Sequence, residues 1–232
     1  PVFAPRVAPV LFLLAVLGTG CASGGADLRY YLIDPVPVPV LRSEGSDGPV
    51  PVVEVLDLDV PQYLERFQIA SRGPGNRIDY ARNHQWGEPL RKNLLRTLAS
   101  NLSTALDTVA VATPINRLSS AADLRVQVHI ERFETAEDGR VRLAARWQTI
   151  DVHSGLIRTE QAELVAPARS AGRARTADVS SQVAAMQKLF GQLSSRIAAS
   201  MLGLRAALES GIESGIESGI ESGMEPDSEP GA

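Results

Sequence analysis

The sequence predicts an α+β fold in which two amphipathic helices pack on one face of a mostly antiparallel sheet. Two observations carry this prediction. Apolar and polar residues alternate strictly through 124–131 and 141–148, which is typical of strands with one buried face. Leucine recurs at every fourth position from 90 to 106, and apolar residues recur every three or four positions from 179 to 201, which is typical of helices with one apolar side.

The composition is that of a globular protein, with 44% hydrophobic and 22% charged residues and a formal net charge of −4. The absence of a basic excess argues against nucleic acid as a partner. Residues 30–207 are enough to form a single domain with a well-buried core.

A short apolar segment precedes the only cysteine. As a helix, residues 7–17 would reach about 16 Å, roughly half the thickness of a bilayer core, which fits the apolar region of a secretory signal. Residues 18–20 are small and supply a cleavage site before Cys21, as in a bacterial lipobox. We therefore predict a signal peptide over 1–20, a diacylated Cys21 and a flexible tether over 21–29. The alternative is an ordinary signal with an incidental cysteine.

The first half of the domain contains strand and turn signals followed by a helix. Strands are predicted over 30–33 and 52–60, and a hairpin over 67–72 and 77–82 around the turn signal GPGN. The leucine-rich helix begins after Pro89, with Glu88 near its positive end.

The second half contains three strands in succession and a second helix. Asp138-Gly139 and Ser154-Gly155 are turn signals that separate strands near 124–131, 141–148 and 156–165, which predicts an antiparallel three-strand meander. The fourfold ESGI repeat places glycine at every fourth position, which disfavours a helix. Residues 208–232 are therefore predicted to be a disordered acidic tail, with a short helical extension as the alternative.

The sequence contains no recognisable catalytic or metal-binding motif, so we predict a non-enzyme without cofactor or metal. His84, His129 and His153 are expected in a pre-helix loop, on a polar strand face and in a turn. Metal binding by Asp57 and Asp59 is the alternative to a solvated pair. The arginines of the meander (Arg125, Arg142 and Arg146) are either a basic patch or a solvated strand face.

The segment from Val60 to Leu90 is the predicted partner-binding region, because it places large aromatic residues on loops and edge strands, as interface anchors often are. Trp86 has an equally weighted alternative role, that of closing the edge of the core. The predicted contact residues are Tyr63, Leu64, Arg66, Gln68, Tyr80, Trp86 and Glu88.

Several segments together resemble the PqiC, or YmbA-like, family of ABC-transport auxiliary lipoproteins. They are RYYLID (29–34), VPQYLERFQI (60–69), W-x-E-P-L (86–90), LRKNLLRTLASNLSTAL (90–106) and VQVHIERFETAEDGRVRLAARWQTID (126–151). The resemblance extends from Cys21 to about Met201, and the order and spacing of the segments make it specific.

The resemblance implies a non-enzymatic role in lipid trafficking in the Gram-negative envelope. The implied partners are an MCE-domain protein that forms a tunnel across the periplasm and the inner-membrane transport components. A multi-subunit tunnel end would match a ring-like homo-oligomer. Ala22 follows the cysteine, where aspartate would favour inner-membrane retention, so the expected location is the periplasmic face of the outer membrane. The alternative is a structural lipoprotein of another envelope complex.

Overall fold

The computed structural model describes residues 27–41, 50–118, 120–168 and 178–222, with side chains as far as residue 208. The predicted signal peptide, Cys21 and residues 22–26 of the predicted tether lie outside the described residues. The strands within these ranges are β1 (Arg29–Tyr31), β2 (Val53–Asp59), β3 (Gln68–Arg72), β4 (Ile78–Trp86), β5 (Val111–Ala112), β6 (Leu124–Thr135), β7 (Arg140–Asp151) and β8 (Ile157–Pro167). The helices are α1 (Leu90–Ala105) and α2 (Val179–Ser222), and two 3₁₀ turns span Gln62–Leu64 and Pro74–Asn76.

The sheet is mixed, so the prediction of a mostly antiparallel sheet is wrong. Its order is β1-β4-β3-β6-β2-β5, with β7 on the other edge of β6 and β8 beyond β7. Four of the seven described strand pairs are parallel, namely β1–β4, β2–β5, β2–β6 and β3–β6. Turn signals mark strands that pair across a hairpin, but a parallel pair is joined by a long crossover that leaves no local signal.

The antiparallel pairs join strands that are close in sequence. β3 pairs with β4 across the turn at Pro74–Asn76, β6 pairs with β7, and β7 pairs with β8. Gly75 in the first turn and Gly139 in the β6–β7 turn have φ values of 65° and 74°, which glycine adopts without steric cost. β4 is longer than predicted and contains His84, whose ring Nδ1 is 2.9 Å from Tyr31 Oη.

Both helices contribute to one hydrophobic core with the sheet. In α1 the predicted stripe is buried: Leu90, Leu94, Leu98, Leu102 and Leu106 at its C-terminal end. α2 lies against β7, β8 and α1. Asn101 of α1 donates to Ser194 Oγ of α2 at 3.0 Å, and the rings of Phe133 and Phe190 lie 6.2 Å apart. No helix among the described residues has both the length and the apolar character needed to cross a bilayer.

The backbone of α2 is helical as far as Ser222, into the repeat that the sequence predicted to be disordered. This corresponds to the alternative of a helical extension. The packed part of α2 ends near Leu204, so continuation adds hydrogen bonds without a second nucleation step. Residues 223–232 of the predicted tail lie outside the described residues.

A bulge in β6 determines where the strand places its charged residues. Leu124, Val126, Val128 and Ile130 are buried, as the alternation predicts. The pairing with β7 then shifts between Ile130 and Arg132, so Phe133 rather than Arg132 enters the core. Glu134 consequently lies on the opposite face, beside β3.

Candidate functional site

Glu134 is a fully buried carboxylate that contacts Tyr63 and Arg72 of the predicted contact region. Its Oε1 accepts hydrogen bonds from Arg72 Nε at 2.9 Å and from Arg132 Nε at 3.1 Å. Its Oε2 accepts from Tyr63 Oη at 2.6 Å and from the backbone N–H of Phe133 at 3.0 Å. Four donors therefore replace the water that an ionised carboxylate loses on burial.

These bonds connect three parts of the chain and shift two pKa values. Burial alone would raise the pKa of Glu134, but the hydrogen bonds from Tyr63 and Arg72 and the charge of Arg132 outweigh it and hold the pKa below its usual 4.5. Burial, together with the bond to the carboxylate, raises the pKa of Tyr63 far above its usual 10.0. The Tyr63 phenol thus stays protonated and donates to Glu134.

Acid should destabilise the domain through Glu134. Because its folded-state pKa is lowered, the ionised carboxylate stabilises the fold above about pH 4.5, and this contribution is lost as the pH falls through the folded-state pKa. We expect Glu134→Gln to reduce the slope of the unfolding free energy against pH in that acid range. The reduction is at most about 1.4 kcal/mol per pH unit, the value for one proton. Urea unfolding at a series of pH values measures it.

Glu131→Gln is the matched control, because Glu131 lies on the same strand but is exposed, 3.2 Å from Arg146. The backbone N–H of Arg140 and the guanidinium of Arg142 hold the pKa of Asp138 below its usual 3.8, so some acid dependence remains in both variants. Equal slopes in the wild type and in both variants would contradict the role of Glu134.

Three of the predicted contact residues, Tyr63, Arg66 and Tyr80, line one open groove with Gln62 and Glu65. The groove has a volume of about 540 Å³. The Arg66 guanidinium carbon lies 4.8 Å from the centre of the Tyr80 ring, in a cation–π arrangement. Tyr80 Oη donates to the backbone carbonyl of Tyr63 at 3.1 Å. Tyrosine and arginine side chains are therefore held in position beside an accessible surface.

The other predicted contact residues do not line this groove. Leu64 and Trp86 are buried, at 3% and 2% exposure, and their burial favours the alternative in which Trp86 closes the edge of the core. Gln68 is half-buried in β3 and lies opposite Gln85 of β4. Glu88 forms an ion pair with Arg96 at 2.6 Å.

The arginines of the predicted basic patch are all neutralised by carboxylates. Arg125 pairs with Glu54 at 2.8 Å, Arg142 with Asp138 at 2.9 Å, and Arg146 with Glu131 at 3.2 Å. The solvated-face alternative therefore fits these residues better.

The two aspartates of β2 each pair with a basic residue. Asp57 pairs with Arg91, and Asp59 Oδ2 lies 2.9 Å from His129 Nδ1. No cluster of potential metal ligands occurs among the described residues.

Exposed apolar side chains gather at the end of the sheet where β2, β5 and β6 begin and where β7 turns into β8. Backbone hydrogen bonds connect these segments, from Val152 N–H to Asp123 C=O at 2.9 Å and from Asp123 N–H to Val52 C=O at 2.8 Å. We call this surface the apolar end; it comprises Val50, Val109, Ile115, Leu118, Val152, Leu156 and Ile157. Clustered exposed apolar residues of this kind mark interaction surfaces.

Sequence reasoning missed both the apolar end and Glu134. The apolar residues come from four separate segments, and the parallel pairing of β2, β5 and β6 together with the antiparallel pairing of β6 and β7 brings these segments to one end of the sheet. Glu134 lies near the end of β6, after a stretch that alternates regularly, and the bulge that redirects it has no signal in the sequence.

Comparison with known proteins identifies relatives of this chain. The model of a family described as ABC-type transport auxiliary lipoprotein component matches residues 30–198. The chain is 32% identical over 128 residues to the intermembrane transport lipoprotein PqiC of Escherichia coli (strain K12), and equally to that of Shigella flexneri. Each alignment covers 55% of this chain and 66% of the relative, slightly less than two thirds of its length.

Two crystal structures share the fold. One is of an uncharacterized protein, with a TM-score of 0.59 at 20% identity. The match covers 76% of this chain and 99% of that protein's chain. The other is of a protein from Xanthomonas campestris, with a TM-score of 0.58 at 14% identity. The match covers 79% of this chain and 99% of that protein's chain. At these identities the similarity concerns the fold alone.

Proposed function

Because the chain belongs to the family of ABC-type transport auxiliary lipoprotein components, we propose that it is the docking subunit of an MCE-type lipid transport system. In this proposal Cys21 is diacylated and anchors the domain, residues 30–207, to the periplasmic face of the outer membrane. The domain then binds the end of the MCE-domain tunnel protein that lies farthest from the inner membrane. Separate inner-membrane transport components complete the system. A homo-oligomer of the chain would match a multi-subunit tunnel end.

The groove formed by Tyr63, Arg66 and Tyr80 is the observation that carries the docking role. Tyrosine and arginine are, with tryptophan, the residue types most enriched at binding hot spots. The stacking of Arg66 on Tyr80 and the bonds made by Tyr63 hold these side chains before a partner arrives, which reduces the entropy lost on binding.

The position of the tether supports an orientation for the domain. Five residues separate Cys21 from Asp27, and the six Cα–Cα steps between them span at most about 22 Å. Asp27 precedes β1. Strand β1 pairs with β4, β4 pairs with β3, and β3 pairs with the C-terminal end of β6, so β1 lies level with the C-terminal half of β6. The apolar end lies at the start of β6, about 36 Å away along the strand. We infer that the anchor holds the β1 end of the domain, together with the groove beside Glu134, closer to the membrane than the apolar end.

The competing role is that of a structural lipoprotein in another envelope complex. The experiment that separates the two is co-purification of the full-length protein from native membranes in mild detergent, with mass spectrometry of bound proteins. Recovery of an MCE-domain protein supports docking, whereas recovery of a different assembly without it supports the competing role. The intact mass of the same sample tests whether Cys21 is the diacylated N-terminus.

Removing the Arg66 side chain should weaken docking without unfolding the domain. Arg66 is exposed, so Arg66→Ala removes a groove side chain and no core contact. We expect at least a tenfold loss of affinity for the MCE-domain protein, equivalent to about 1.4 kcal/mol. Quantitative pull-down from detergent extracts measures the loss.

Arg77→Ala is the matched control, because Arg77 is an exposed arginine of the neighbouring hairpin that pairs with Asp79 at 2.9 Å. We expect this variant to bind like the wild type. If Arg66→Ala and Arg77→Ala bind the MCE-domain protein equally well, the groove is not part of the docking surface.

A further inference from the structure

A second groove lies on the opposite side of the sheet, where α2 crosses β7 and the edge strand β8. Its volume of about 480 Å³ is in the range of small-molecule binding sites. The residues that line it are Trp147, Arg158, Glu160, Gln161, Arg196, Ala199 and Ser200.

Two buried polar atoms of the residues that line this groove have no hydrogen-bond partner among the described residues. They are the indole Nε1 of Trp147, a residue 4% exposed, and Oε2 of Glu160. Trp147 and Glu160 lie opposite each other on β7 and β8. A buried polar group without a partner destabilises a fold, so one unpaired donor and one unpaired acceptor in the same place require an explanation.

The groove also contains two arginines without a carboxylate partner in the described part of the chain, Arg158 and Arg196. They differ in this from Arg125, Arg142 and Arg146, each of which forms an ion pair. Arg158 is held close to α2 at Gly203, where an added Cβ would lie 3.1 Å from Arg158 Nη1.

We propose that this groove binds a phosphate ester that also carries an ammonium group, the chemistry of phosphoethanolamine. Two guanidinium groups and the indole N–H are donors suited to phosphate oxygens. Glu160 would repel a simple anion but is an acceptor for an ammonium group, so the unpaired groups of the site match a zwitterion. This site is separate from the groove of Tyr63, Arg66 and Tyr80, and the proposal does not depend on docking.

Trp147 itself reports on the site. We would titrate the full-length protein with O-phosphoethanolamine and with dihexanoyl phosphatidylethanolamine below its micelle concentration, and follow tryptophan fluorescence. Inorganic phosphate and dihexanoyl phosphatidylglycerol are the comparison ligands. Trp147→Phe retains Trp86, the second of the two tryptophans, and supplies the background signal. Isothermal calorimetry on the same samples measures affinity independently of fluorescence.

We expect saturable binding of the ethanolamine ligands, at least tenfold tighter than binding of phosphate or phosphatidylglycerol. Arg158→Gln and Arg196→Gln should each weaken it at least tenfold, and Glu160→Gln should abolish the preference over phosphatidylglycerol. Arg146→Gln, on the outer face of β7, should bind like the wild type. Tighter binding of the lipid than of O-phosphoethanolamine identifies a lipid head group as the ligand, and equal binding identifies the free ester.

Three results would overturn the proposal. They are the absence of saturable binding, equal affinity for phosphatidylethanolamine and phosphatidylglycerol in the wild type, and unchanged affinity in both arginine variants. Arg196 is exposed and its replacement leaves the core intact, so the test survives if Arg158→Gln fails to fold. Co-purification of an MCE-domain protein is unaffected by any of these results, so the two proposals fail separately.

Discussion

Replacing Trp86 by alanine is expected to lower the free energy of unfolding by about 3–5 kcal/mol, the usual cost of removing a buried aromatic side chain. Trp86 is 2% exposed and ends β4, opposite Tyr31 of β1. Its backbone N–H donates to the carbonyl of Phe67 at 2.7 Å, so the residue also connects the end of β4 to the segment before β3. Urea unfolding followed by circular dichroism measures the loss.

Phe67→Ala is the control for an aromatic residue beside the same strand. Phe67 is 50% exposed, so its removal should cost about 1 kcal/mol or less. If Trp86→Ala unfolds at the same urea concentration as the wild type and instead loses its MCE-domain partner, then Trp86 acts as an interface anchor. The core role inferred from its burial would then be wrong.

Replacing Glu134 by alanine is the second change with a large expected effect. The variant leaves Arg72, Arg132 and the phenol of Tyr63 without their shared acceptor. Arg72 and Arg132 are 23% and 35% exposed, so water reaches the charges that remain. The expected cost is that of leaving partly buried donors without an acceptor, about 1–3 kcal/mol. We expect a loss of that size in urea unfolding at pH 7.

Glu131→Ala separates this effect from the general loss of a carboxylate. Glu131 is three residues away on β6 and forms an exposed ion pair with Arg146, so its removal should cost less than about 1 kcal/mol. A double-mutant cycle between Glu134→Ala and Arg72→Ala should give a coupling energy above about 1 kcal/mol. Additive losses would show that the carboxylate and Arg72 act independently.

The Glu134 network also connects stability to the proposed docking groove. Tyr63 donates to Glu134 through its phenol and accepts from Tyr80 through its backbone carbonyl. Loss of the carboxylate should therefore disorder the groove before the domain unfolds. For this reason Arg66→Ala, which leaves the network intact, is the cleaner test of docking.

Much of the fold could be predicted from the sequence, because the forces that determine it act locally. The buried leucine stripe of α1, the alternation in β6 and β7, and the GPGN and Asp-Gly turns all follow from burial and backbone preference within a few residues. The family could be predicted as well, because it depends on the order and spacing of such segments.

The site was only partly predictable. Tyr63, Arg66 and Tyr80 were predicted from their residue types, and the structure places all three on one groove. Trp86 has the same type of side chain, yet it is buried. Its two alternatives could not be separated from the sequence, since burial depends on which strands flank β4.

Only the tertiary structure decided the features that depend on contacts between segments distant in sequence. The parallel pairing of β2 and β3 with β6, the bulge that places Glu134 beside Arg72, and the assembly of the apolar end from four segments are all of this kind. The physical reason is that local sequence determines the conformation of a segment and which of its faces is apolar. Which strand or helix each segment packs against depends on all such apolar faces at once, because they compete for burial in one core.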